Sequence, residues 1–79
     1  MKSEYIELLQ LLGAYPEKVY SGTLTDNDYV DFQRIESRII KAYKNGKVDN
    51  EEYRLLARAY YHIKAAARAV LRLDPEETA

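Results

Sequence analysis

His62 is the single histidine among 79 residues, and the chain has no cysteine. Its helical neighbours three and four residues away are Ala59, Ala65, Arg58 and Ala66. None of these can share a metal or orient an imidazole as a base. Ser3, Ser21 and Ser37 lack a local histidine or lysine arrangement typical of an activated nucleophile. Asp26, Asp28 and Asp31 superficially suggest a calcium loop, but the required glycine and distal glutamate are missing. Acids in a first helical turn are accounted for by the helix dipole. The three glycines are isolated and make no phosphate-binding loop. These patterns argue against an enzyme, a metal site, a cofactor and a small-molecule substrate.

The chemistry that is left is cationic. Arg54, Arg58, Arg68 and Arg72 fall within about an 80° arc of a helix at 100° per residue, with Tyr61 and Ala65 between them. Arg34, Arg38 and Lys41 form an outward set on the preceding helix, with Lys44 and Lys47 near the turn. Such a surface could track nucleic-acid phosphates. It could equally hold the carboxylates of an acidic protein through bidentate contacts. The low overall pI of about 5.8 counts against a dedicated nucleic-acid coat. A long helix and an extended turn around Gly46 do not fit a DNA-reading helix-turn-helix.

The net charge of −1 averages over strong asymmetry. In residues 1–32, Lys2 and Lys18 oppose six acids, a net of −4. Residues 33–72 set ten Lys and Arg against Glu36, Asp49, Glu51 and Glu52, a net of +6. The last seven residues add Asp74, Glu76 and Glu77. A basic segment thus lies between acidic flanks. Residues 6–12 are apolar but cut by Glu7 and Gln10, unlike a secretory leader. No apolar run approaches membrane-spanning length. A cytoplasmic protein without membrane contact is expected, the lack of cysteine suiting a reducing compartment.

The elements that must position these side chains are announced by a repeat. Residues 21–29 read SGTLTDNDY and residues 45–53 read NGKVDNEEY, aligning without gaps at an offset of 24. Each copy opens on a glycine suited to the left-handed position past a helix end, Gly22 or Gly46. An apolar residue follows, Leu24 or Val48, then an N-cap, Thr25 or Asp49. Three residues on stands an acid, Asp28 or Glu52, at capping-box spacing, and next a tyrosine, Tyr29 or Tyr53, placed as a hydrophobic staple. The pattern resembles turns of many helical-hairpin modules over residues 22–29 and 46–53 only, and that resemblance implies no function.

The repeat predicts an all-α domain: a small antiparallel three-helix bundle built on a long αα-hairpin. Helix one should span about 3–21, capped by Ser3 and broken near 13–16 by Gly13 and Pro16, which would make four pieces. Helix two should span about 26–44, with Phe32, Ile35, Ile39, Ala42 and Tyr43 on one stripe and Tyr29, Glu36 and Ile40 at its edge. Helix three should span about 50–72, with a main stripe of Leu56, Ala59, Ile63, Ala66, Val70 and Leu73. Residues 74–79 should fray. No segment alternates at period two, so no strand is expected.

Two surpluses of apolar surface suggest association. Helix one is apolar over more than half its circumference, through Tyr5, Ile6, Leu8, Leu9, Leu11 and Leu12. Helix three carries a second strip, Tyr53, Ala57, Tyr60, Ala67 and Leu71. The expected function is a non-enzymatic interaction module (accessory subunit, adaptor or inhibitor) that binds a protein partner or a second copy. Its expected interface is Tyr5, Leu8, Leu12, Tyr60, Tyr61 and Leu71. The alternative is a nucleic-acid-binding accessory protein that uses the basic side chains of helices two and three, Arg34, Arg38, Lys41, Arg54, Arg58, Arg68 and Arg72.

Overall fold

The computed structural model describes residues 3–72. The chain forms α1 (Ser3–Gly13), α2 (Pro16–Ser21), α3 (Asp26–Lys44) and α4 (Asn50–Leu71), with no strand among the described residues. The all-α bundle expected from the repeat is the observed architecture. Leu73, the tail from residue 74 and the side chain of Ser3 lie outside what is described.

Helix one is two helices. Pro16 has no N–H to continue the ladder, and it becomes the first residue of α2 instead. The joint is held by tighter bonds, Ala14 N–H to the Leu11 carbonyl at 3.3 Å and Tyr15 N–H to the Leu12 carbonyl at 3.2 Å.

The two repeated turns fold alike. Gly22 and Gly46 sit at φ 76° and 74°, in the left-handed region. The residue after each glycine closes a long bond, Thr23 N–H to the Lys18 carbonyl at 3.0 Å and Lys47 N–H to the Ala42 carbonyl at 2.8 Å. The glycine N–H groups bond to Val19 and Tyr43 carbonyls, so each end is a Schellman stop whose bonds also repeat at the 24-residue offset. Both capping boxes are reciprocal. Thr25 Oγ1 accepts from Asp28 N–H at 3.1 Å, and Asp28 Oδ2 accepts from Thr25 N–H at 3.0 Å. Asp49 and Glu52 exchange the same pair at 2.8 Å each. Leu24, Tyr29 and Val48 are buried, and Tyr53 packs on the core, as the staples require.

Cross-helix pairs establish the hairpin direction. Tyr43 bonds to Asn50, Phe32 stacks on Tyr60, and Tyr29 meets Arg68, so the sequence runs in opposite senses along α3 and α4. α1 lies against both, and α2 packs on α4. Phe32 is the hub of the core. Its ring stacks on Tyr60 at 4.5 Å and 7°, and meets Tyr15 at 5.2 Å and Tyr29 at 6.2 Å.

Packing corrects the stripe expected on α4. The buried residues are Leu56, Tyr60 and Ala67, with Tyr53, Ala59, Ile63, Ala66 and Leu71 half-buried around them. Val70, expected on the main stripe, is exposed. α4 is flanked by α1 on one side and α3 on the other, so its buried line runs between the two strips. The helix also ends one residue earlier than expected, at Leu71, with Arg72 left-handed at φ 60°. Tyr43, expected on the core stripe of α3, stands partly exposed.

Candidate functional site

Burial redraws the expected interface. Leu8, Leu12 and Tyr60 are 0 %, 2 % and 1 % exposed, so they are core residues and not contacts for a partner. α1 is wedged against two helices at once, which buries Leu8 and Leu12 and part of Tyr5 and Leu11, while Ile6 and Leu9 stay exposed on its outer face. Tyr5 and Leu71 are half-buried against the same core. Of the six, Tyr61 alone is open, at 51 % exposure.

Tyr61 belongs to a narrow trough between α3 and α4. Glu36, Ile39 and Ile40 form one wall, and Tyr53, Ala57, Tyr60 and Tyr61 form the other, around a cavity of about 20 Å³. Helical spacing builds both walls. Glu36, Ile40 and Tyr43 step along one edge of α3 at intervals of four and three, while Tyr53, Ala57 and Tyr61 step along α4 at four. The antiparallel hairpin brings those edges together. Ile40 and Tyr43 stand 37 % and 40 % exposed at the mouth. Tyr43 stacks on Tyr53 at 4.4 Å and 20°, and its hydroxyl donates to Asn50 Oδ1 at 3.0 Å.

Polar groups hold the trough rigid. The Tyr61 hydroxyl donates to the Glu36 carboxylate, across the two helices. That bond, then burial, then the Glu36 charge raise the Tyr61 pKa above the ordinary phenol value. The Tyr61 ring meets Tyr60 edge-on at 5.1 Å, and Lys64 Nζ lies 5.7 Å from its centroid. On the trough floor the Tyr60 hydroxyl is buried without a hydrogen-bond partner. Burial, followed by the Glu36 charge, raises its pKa as well. Both phenols are therefore neutral around pH 7 and can act as donors.

The basic residues do not form one surface. Arg38 reaches α1, with Nη2 3.9 Å from both Glu4 and Glu7 carboxylate oxygens. Arg34 pairs with Asp31 at 3.6 Å, and Lys41 shares a hollow with Glu4 and Arg38. These three therefore sit on the α1 side of α3, about 160° around the helix from Glu36, Ile40 and Tyr43. Arg54 and Arg58 are exposed on α4 beside the trough, and Arg72 is exposed just past its end. Arg68 is half-buried and donates to the Tyr29 hydroxyl at 3.4 Å. The single basic surface expected across the two helices is separated by their tertiary placement.

A wider surface hollow, about 540 Å³, is lined by Asn50, Glu51, Arg54, Leu55 and Arg58. All five come from α4, so it is a shelf on one helix without an opposing wall. Among the described residues no group of three His, Cys, Asp or Glu side chains could hold a metal ion, and no helix is long and apolar enough to cross a membrane.

The trough residues that sequence reasoning left off the site are Glu36, Ile40, Tyr43, Tyr53 and Ala57. Their signal was present as the edge of helix two and the second strip of helix three, but only hairpin docking pairs one with the other. Compared with protein families, curated proteins and solved structures, the chain matches none.

Proposed function

We propose that this chain is a non-enzymatic helical interaction module that binds a protein through the α3–α4 trough. The observation that carries the reading is the contiguous face of Ile40, Tyr43, Tyr53, Ala57 and Tyr61, partly exposed and bordered by Arg54 and Arg58. Tyrosine and arginine are the residues that most often anchor protein interfaces. Rings already fixed by stacking and by the Glu36 bond lose little freedom when a partner docks. The reading assigns the chain no catalytic step, no cofactor and no small-molecule substrate.

A nucleic-acid accessory role is the second reading, favoured by the exposed arginines Arg54 and Arg58 beside Tyr61 and Arg72 at the end of α4. Against it stand Glu36 inside the trough and the opposite placement of Arg34, Arg38 and Lys41.

The test compares immobilised wild type with Ile40→Glu/Tyr61→Ala in lysate of the native host, circular dichroism confirming equal helicity. A protein species retained by wild type and by Gln10→Ala, but lost from the double variant, is expected. Identical retention by all three variants sinks the trough as the site. Nuclease-sensitive retention would transfer the assignment to the second reading.

A further inference from the structure

Resting on that reading of the trough, we propose that its occupant is an acidic amphipathic helix of a partner protein. Residues 53–72 carry Arg54, Arg58, Lys64, Arg68 and Arg72 and not one aspartate or glutamate. Arg54, Arg58 and Arg68 share the arc of α4 centred near Tyr61, and Arg72 follows at its C-terminal end. The opposite rim, on the outer edge of α3, offers Gln33, Ser37 and Lys44. Glu36 is the one carboxylate among the lining residues, and the Tyr61 hydroxyl already engages it. An aromatic and aliphatic floor beside a mainly cationic rim, where Glu51 shares a hollow with Arg54 and Arg58, selects a ligand with an apolar ridge flanked by carboxylates. Guanidinium groups match carboxylates in a bidentate fork.

The form of the trough specifies a helix. Its walls are straight helices of 19 and 22 residues, about 28 and 33 Å long. A third helix laid along them would insert side chains at i, i+3 or i+4 and i+7. Ala57 on the α4 wall permits close approach.

Two other occupants fit less well. A second copy docking by two-fold symmetry would set the cationic edge of α4 against itself or against the Gln33, Ser37 and Lys44 edge of α3, with Glu51 as the carboxylate beside Arg54 and Arg58 against the several cations. Single-stranded nucleic acid needs open ring faces for its bases. Here Tyr43 and Tyr53 stack on each other and Lys64 lies over Tyr61.

The experiment titrates the isotope-labelled full chain by two-dimensional NMR. The probes are a designed helix of about 18 residues with leucine on one face and glutamate elsewhere, its lysine-for-glutamate twin, a shuffled peptide of the same composition, and single-stranded oligothymidine. Saturable shifts at Arg54, Ala57, Arg58, Tyr61 and Ile40 are expected with the acidic helix alone. Arg54→Glu/Arg58→Glu should weaken it about tenfold or more, while Arg54→Lys/Arg58→Lys retains most of the affinity. No saturable shift with the acidic helix overturns the proposal. So does equal binding of the shuffled peptide or the oligothymidine, or wild-type self-association through Tyr61. If the host species needs Tyr61 yet survives Arg54→Glu/Arg58→Glu, the acidic partner falls and the interaction module stands.

Discussion

Tyr60 combines two opposed contributions in one side chain. Its ring stacks on Phe32 at the centre of the core, while its hydroxyl is buried without a partner. An unsatisfied buried hydroxyl costs about 1–3 kcal/mol, and its removal leaves the stack intact. Tyr60→Phe should therefore leave stability unchanged or raise it by up to that amount, read as a shift of the urea midpoint. Phe32→Ala deletes the hub that Tyr15, Tyr29 and Tyr60 share, and should cost about 3–5 kcal/mol. A lower midpoint for Tyr60→Phe would mean that the hydroxyl has a partner after all. The role of Tyr60 was not legible in the sequence. Residues 53, 57, 60, 67 and 71 read as a second strip, and nothing local distinguishes a strip that faces a partner from one that faces Phe32.

The turns act at the scale of the element. Each combines a left-handed glycine, a reciprocal capping box and an apolar anchor, so the helix boundaries depend on short-range contacts. Asp28 links one of these turns to pH. The backbone N–H of Thr25, then Lys18 at 3.1 Å, hold its carboxyl below the usual carboxylate range. A lowered folded pKa means that the stabilisation is complete above the unfolded carboxylate value, about 3.9, and is lost as pH falls through the folded value. Urea midpoints from pH 5 to pH 2 should show a loss below about pH 4 that Asp28→Asn lacks. A parallel decline in both proteins would remove Asp28 as its source. These devices were readable in advance because every participant lies within a few residues of the others. The break at Pro16 was readable for the same reason: a missing N–H is a property of the residue itself.

For the whole molecule, the decisive event is how α1 enters the hairpin. It covers Leu56 and its neighbours from one side, directs Arg38 towards Glu4 and Glu7, and leaves the α3–α4 edge uncovered. Ion pairs this exposed add little stability, so burial of Leu8 and Leu12 holds α1 in place. Tyr61 lies on the uncovered side. Tyr61→Ala should change the unfolding free energy by no more than about 0.5–1 kcal/mol while abolishing retention of the partner species. A larger loss of stability would make Tyr61 a structural residue. Association through the trough should also weaken as salt rises, since the rim is cationic and exposed.

The amino-acid sequence determined on its own the class of fold, the two stops, the two starts and the break between α1 and α2. All of these follow from backbone geometry and hydrogen bonds that close within six residues. It also specified an arginine-bearing α4 face, because residues on one helix keep their angular order wherever the helix docks. Tertiary structure alone decided that the core line of α4 runs between its two apolar strips, through Leu56, Tyr60 and Ala67. It sent Arg34, Arg38 and Lys41 to the α1 side, and it joined the Glu36 edge to the Tyr61 edge as a trough. Those outcomes depend on contacts between different helices, such as Glu36 with Tyr61 and Arg38 with Glu4, whose pairing is set when three helices compete to bury their surfaces at once.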